Sequence, residues 1–222
     1  GDIPDPGMLL GEILADYLNK AGYKVNNVET AREDYLKGMC SPLKMQSSYK
    51  VGQLVFTQLS RPLYEIIREV NVESNNHYAE HLIRTIGRND KRDIYENPLD
   101  AAIEYTGEFW KTKGVDNASL KMYDGSGLAP QNAVSPKFLT DLLIYMHNDS
   151  RYSDAFINSL PKAGQEGTLR NFMRNTKYMG KVVAKSGSIG GVQCYSGYLF
   201  DGNKKYAFAI MINKFGGTNS QV

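Results

Sequence analysis

The pattern that most limits the possible folds of this chain is a run of strand-like segments at its C-terminal end. From residue 181 the sequence reads KVVAKSG, then VQCYSGYLF, then KYAFAIMIN. β-Branched and aromatic residues at this density are typical of strands. The polar turn DGNK at residues 201–204 joins the last two segments as a hairpin. An antiparallel sheet is therefore predicted to form part of the core.

The preceding part of the chain is predicted to be mainly helical. Asp5 caps a helix that has Pro6 at its first position, and apolar residues at helical spacing continue to a stop at Gly22. Further helices are predicted at residues 60–70, 74–87, 99–113 and 135–147, with short strands at 23–28 and 53–59. The sequence thus predicts one α+β domain over residues 1–222, with helices packed on an antiparallel sheet.

Composition and charge exclude several functional classes. The 222 residues are 41% hydrophobic and 23% charged, and the formal net charge is +2. No basic stripe predicts binding to nucleic acid, and no apolar run approaches the roughly 20 residues of a membrane-spanning helix. The two cysteines, Cys40 and Cys194, are too few for a disulfide scaffold and lack metal-site spacing, so one bridge and two free thiols are both compatible with the sequence.

The stretch VESNNHYAEHLIR, residues 72–84, carries two overlapping motifs. HYAEH matches the H-x-x-E-H pattern of zinc peptidases, in which His77 and His81 would bind the metal and Glu80 would act as the base. A third ligand lacks a supporting motif, and a solvated helix face explains the same residues. The first half, SNN, is a Ser-x-Asn element, although Ser74 can also be read as a simple helix cap.

A second motif lies downstream of this one. The triplet at Lys185, Ser186 and Gly187 matches the Lys-[Ser/Thr]-Gly element of serine β-lactamases and penicillin-binding proteins. Further short motifs accompany the two elements in order along the chain: Ile3-Pro4-Asp5-Pro6, Ser60-Arg61-Pro62-Leu63, Asp124-Gly125-Ser126-Gly127-Leu128 with Asn132, Gly167-Thr168-Leu169 and Ser196-Gly197-Tyr198.

Together these motifs resemble the C-terminal part of the class C, low-molecular-mass penicillin-binding proteins. These are D-alanyl-D-alanine carboxypeptidases and endopeptidases that trim and cut peptidoglycan cross-links. The resemblance implies a serine β-lactamase/transpeptidase-like fold, an acyl-enzyme mechanism without a cofactor or metal, and an extracytoplasmic location in the periplasm or cell envelope. It also implies peptidoglycan stem peptides as substrates and β-lactams as inhibitors of the full-length protein.

The resemblance assigns roles to six residues. Ser74 and Lys185 would be catalytic, relaying the proton to the departing D-alanine. Asn76 would hold the substrate amide, and Ser186 would hydrogen-bond the terminal carboxylate, a task that needs only a hydroxyl. Gly187 and Ser188 complete the binding strand, and the Ser188 N–H would contribute to the oxyanion hole.

The acylated serine is not evident in this sequence. Family members place it in a Ser-x-x-Lys motif, with the lysine one helical turn after the serine. Ser41-Pro42-Leu43-Lys44 and Ser47-Ser48-Tyr49-Lys50 match that spacing, but neither leads into an apolar helical stripe. We therefore expect a fragment of the fold that is inactive alone, with the nucleophile upstream. The alternatives are a homologue that binds peptidoglycan without cleaving it, and a zinc metallopeptidase using His77, Glu80 and His81.

Overall fold

A computed structural model describes residues 5–30, 57, 59–89 and 97–217 of the protein. Contacts divide the chain into two compact units, residues 1–58 and 59–222. The expectation of one domain stays a prediction. None of the described helices combines the length and apolar character that crossing a membrane requires.

The described part of the first unit consists of a helix and an extended segment. Helix α1 spans Pro6–Lys20, and the Asp5 carboxylate accepts a hydrogen bond from the Met8 N–H, as the sequence predicts. The predicted strand at 23–28 is wrong, since these residues form no strand ladder and the Val25 N–H instead bonds the side chain of Asn19. The predicted strand at 53–59 lies mostly outside the described residues, and the described Thr57 and Leu59 are not in a strand.

Five α-helices are described in the second unit. They are α2 (Leu63–Glu73), α3 (Asn76–Asn89), α4 (Pro98–Thr112), α5 (Pro136–Asn148) and α6 (Ser153–Ser159), and a short 3₁₀ helix follows at Gly167–Leu169. Helix α5 begins as predicted at Pro136, behind the Ser135 cap. Helix α4 begins at Pro98, one residue before the predicted start at Leu99, behind a cap from the Asn97 side chain. Helix α2 begins at Leu63 rather than at residue 60, because the Ser60 hydroxyl donates to the Arg61 carbonyl and caps nothing. The sequence did not predict α6.

Three strands form one antiparallel sheet in the order β1-β2-β3. They are β1 (Val182–Ile189), β2 (Val192–Asp201) and β3 (Lys204–Asn213). The predicted hairpin is confirmed, with Asp201 paired to Lys204 across the turn. Helices together with this antiparallel sheet also confirm the predicted α+β class.

The start of β1 contributes to two buried clusters. Val183 packs with Leu143, Leu160 and Tyr198. Val182 and Ala184 pack with Ala163 and Leu169. Since successive strand residues point to opposite faces, both faces of the sheet are anchored immediately before Lys185. The residues that follow on β1 are thereby fixed in position.

Candidate active site

A cavity of about 810 Å³ lies in the second unit. Its volume is within the range of ligand pockets, roughly 300–1,000 Å³. The lining comes from three parts of the chain: the α2–α3 junction, the segment between residues 120 and 134, and the sheet near the β1–β2 turn. Ser74, Asn76, Lys185, Ser186, Gly187 and Ser188, the six residues predicted from the sequence, all line it.

Ser74 occupies the break between α2 and α3. It adopts the left-handed conformation, with φ at 56°, and ends α2. The alternative interpretation of Ser74 as an N-cap is wrong, because the side chain of Asn75 accepts the hydrogen bond from the Tyr78 N–H. A non-glycine residue in this conformation is strained by about 1 kcal/mol or more, and such strain concentrates at functional sites. The Ser74 hydroxyl is consequently free of capping and faces the sheet.

Lys185 reaches Ser74 from β1. Its Nζ donates to Ser74 Oγ at 2.9 Å, a contact between residues 111 positions apart in sequence. The ammonium group also donates to the Ser186 carbonyl. Burial lowers the pKa of Lys185 below its ordinary value, because a poorly hydrated site disfavours the charged form. A lysine with a lowered pKa against a serine hydroxyl is suited to proton transfer.

The other predicted binding residues flank this pair. Asn76 is the first residue of α3. Ser186 is half-buried, and its hydroxyl lies 2.7 Å from the hydroxyl of Thr168. Thr168 has no role in the sequence prediction, and no spacing rule links it to Ser186, which lies 18 residues further on.

Another part of the cavity lining is a polar loop organised by Asp124. Its carboxylate accepts hydrogen bonds from the N–H groups of Gly127 and Ala129, both at 2.7 Å, and from the Asn132 amide at 2.9 Å. Burial favours a higher pKa for the Asp124 carboxyl, but these hydrogen bonds and one from the Ser126 hydroxyl outweigh it and lower the pKa. Asp124 therefore shapes the loop.

The residues of the zinc hypothesis form a different arrangement. Glu80 Oε2 accepts the Gly125 N–H at 2.8 Å, and Oε1 pairs with Arg84. The rings of His77 and His81 contact each other edge to face, with centroids 4.3 Å apart. Within the described ranges, no group of three or more His, Cys, Asp or Glu side chains is placed to hold a metal ion. Glu80 thus acts as a structural link between α3 and the loop.

Two other hypotheses from the sequence concern the cysteine pair Cys40 and Cys194 and the candidate nucleophiles Ser41 and Ser47. Cys194 lines the cavity as a free thiol, and burial raises its pKa. Cys40, Ser41 and Ser47 lie outside the described residues.

Comparison with known proteins yields a consistent family. Residues 4–221 match the D-Ala-D-Ala carboxypeptidase 3 (S13) family. The chain is 30% identical over 220 residues to a D-alanyl-D-alanine carboxypeptidase of an Actinomadura species, covering 97% of this chain and 38% of that protein. It is 28% identical over 170 residues to a D-alanyl-D-alanine carboxypeptidase of Haemophilus influenzae, covering 74% and 34%. The chain therefore spans little more than a third of these relatives.

Solved structures show the same fold. The crystal structure of penicillin-binding protein 4 from Haemophilus influenzae in complex with a β-lactam matches with a TM-score of 0.77 at 22% identity, covering all of this chain and 48% of that one. A predatory endopeptidase from Bdellovibrio bacteriovorus matches with a TM-score of 0.56 at 18% identity, covering 96% and 57%. The predicted penicillin-binding fold is thereby confirmed.

Proposed function

Because this chain belongs to the D-Ala-D-Ala carboxypeptidase 3 (S13) family, we propose that the protein cleaves D-Ala-D-Ala peptides of peptidoglycan through an acyl-enzyme. The observation that carries the proposal is the contact of Lys185 Nζ with Ser74 Oγ at 2.9 Å beside a cavity of ligand size. Carboxypeptidase and endopeptidase action both fit this site, since the two reactions differ only in the group that leaves.

The proposed reaction has two steps. A serine hydroxyl attacks the carbonyl carbon of the scissile amide, an ester forms, and the C–N bond breaks. Lys185 and Ser74 relay a proton to the departing amine, and water then hydrolyses the ester. The Ser188 N–H contributes to stabilising the oxyanion, Asn76 holds the substrate amide, and Ser186 binds the terminal carboxylate.

We place the acylated serine outside this chain. Support comes from the relatives, because the chain corresponds to 38% of the Actinomadura carboxypeptidase. Ser41 and Ser47 are the competing candidates within the chain. A substrate in the cell wall further implies that the protein works outside the cytoplasmic membrane, in the periplasm or cell envelope, where β-lactams would inhibit it.

The test is acylation by a fluorescent penicillin, followed by intact mass, on the full-length protein and on this chain alone. We expect labelling of the full-length protein only. Ser74→Ala and Lys185→Met should each slow acylation on the order of 10²-fold or more, since each removes a proton-transfer group. Ser150→Ala, a hydroxyl loss outside the cavity, serves as the matched control.

Other results of this test would each support a different hypothesis. Labelling of this chain alone would identify Ser41, Ser47 or another internal serine as the nucleophile. A full-length protein that is never labelled but retains stem peptides would be a non-catalytic peptidoglycan binder. Peptide cleavage that a chelator abolishes would revive the metallopeptidase hypothesis based on His77, Glu80 and His81.

A further inference from the structure

The hydroxyl of Thr168, an exposed residue, contacts the side chain that is proposed to bind the substrate carboxylate. Ser186 Oγ and Thr168 Oγ1 are 2.7 Å apart. Ser186 lines the cavity, whereas Thr168 does not. Thr168 is thus placed to act on Ser186 from outside the cavity lining.

The backbone that carries Thr168 is firmly fixed. The next residue, Leu169, is fully buried with Ala163, Val182 and Ala184. The preceding residue, Gly167, has φ at +46°, and a Cβ there would lie 2.0 Å from the Val72 carbonyl oxygen. Because a side chain at 167 would collide with α2 backbone, the close approach of this segment to α2 requires glycine.

A polar bridge adds a second attachment to the same helix. Arg68 on α2 donates to Glu166 Oε1 at 2.9 Å and to the Asn158 carbonyl at 2.7 Å. Helix α2 ends at Ser74, so the segment bearing Thr168 is tied to the element that positions the proton-relay serine. The two hydroxyls of the site, at residues 74 and 186, are consequently held relative to each other through this segment.

The contact with Thr168 matters because residue 186 is a serine, whose side chain rotates more freely than that of threonine. A serine side chain lacks the β-branching that restricts χ1 in threonine or valine. The hydrogen bond that the Ser186 hydroxyl donates to Thr168, whose backbone is fixed, can restrict χ1 of Ser186 instead. When a carboxylate accepts the Ser186 O–H, Thr168 can turn its own O–H to donate into Ser186 Oγ, so that both hydroxyls stay paired.

We propose that Thr168 is a positioning residue that holds the Ser186 hydroxyl in the rotamer that binds the terminal carboxylate of the substrate. This inference rests on the proposed function. It assigns to Thr168 an effect on substrate recognition, expressed in KM, and no part in the bond-breaking step.

The test measures KM and kcat of the full-length protein with a peptide ending in D-Ala-D-Ala. Thr168→Val keeps the shape and removes the hydroxyl, so KM should rise about tenfold with kcat changed less than about twofold, as for the loss of one positioning hydrogen bond. Thr168→Ser should restore the KM. Thr112→Val, which removes a hydroxyl at an exposed helix end outside the cavity, is the matched control.

A double variant tests whether Thr168 acts by restricting the rotamer of residue 186. In Ser186→Thr the side chain restricts its own χ1, so adding Thr168→Val should then raise KM less than about twofold. An unchanged KM in the Thr168→Val variant, a loss confined to kcat, or an equal penalty in both backgrounds would overturn the proposal and leave the proposed function intact. If penicillin and the peptide leave the wild-type full-length protein unreacted, the proposed function fails, and this inference fails with it.

Discussion

Two sides of the cavity, which both carry family motifs, are held by different forces. The strand side, residues 185–189 of β1, continues directly from Val182, Val183 and Ala184, which are 3%, 5% and 0% exposed. Every residue of β1 has a register partner on β2. The loop side, residues 124–129, is closed by hydrogen bonds that converge on the Asp124 carboxylate and by one bond to Glu80.

This difference in what holds the two sides predicts how much stability a substitution in each of them removes. Packed backbone cannot yield without moving many neighbours, because protein interiors are close-packed. A polar loop near water can replace part of a lost hydrogen bond with solvent. We therefore expect large losses of stability from changes beside β1, and smaller losses, confined to the shape of the site, from changes in the loop.

The largest effect is expected from Gly197→Ala on β2. A Cβ at this position would lie 2.1 Å from the Val183 carbonyl oxygen and 2.5 Å from Ala184 Cα. Since backbone must move to admit it, the free energy of unfolding should fall by about 3 kcal/mol in urea titrations. Gly190→Ala, where a Cβ would meet nothing within 4 Å, is the control. Equal stability of the two variants would show that β1 is not rigidly held.

An intermediate effect is expected from Asp124→Asn. The amide keeps one acceptor oxygen where the carboxylate has two, while the N–H groups of Gly127 and Ala129 and the Asn132 side chain all need acceptors. Unfolding in urea at pH 7 should require about 2 kcal/mol less free energy. Asp141→Asn removes a carboxylate from an exposed ion pair with Lys137 and should change stability little.

The pH dependence gives an independent check on the loop. The folded-state pKa of Asp124 is lowered, so its contribution is present above the unfolded-state value of about 4 and is lost as the pH falls through the folded-state value. The stability gap between the wild type and Asp124→Asn should therefore narrow between pH 7 and pH 3. A constant gap would mean that the carboxylate charge does not contribute to holding the loop.

The sequence predicts elements whose signals are local. Helix α5 follows the cap at Ser135 and Pro136, and the β2–β3 hairpin follows the turn at 201–204. Residues 23–28 have a strand-like composition but form no strand ladder. The prediction is wrong because composition does not show whether a segment has a partner strand. Ser74 resembles an N-cap because Ser is common there, but its left-handed backbone and its bond to Lys185 depend on a strand 111 residues away.

In the candidate site, too, local sequence signals do not predict contacts that tertiary packing creates. Ser74 and Lys185 could be paired in advance only through the family resemblance, because no spacing rule connects residues so far apart. Thr168 belongs to the motif Gly167-Thr168-Leu169, but the motif does not predict its contact with Ser186, which results from the burial of Leu169 and the close approach of Gly167 to α2. Tertiary packing, which the local sequence does not encode, decides both contacts.

The smallest effect is expected from Glu80→Gln, which also separates two explanations of HYAEH. The glutamine oxygen can replace one of the two acceptors that bind Gly125 and Arg84, so stability should fall by about 1 kcal/mol. Peptide cleavage by the full-length protein should stay within a few fold of wild type, because Glu80 supports the loop without reacting.

A metallopeptidase would instead lose its general base and nearly all activity. Glu108→Gln, on the exposed face of α4, controls for the charge change, and a collapse of activity in Glu80→Gln alone would contradict the structural role.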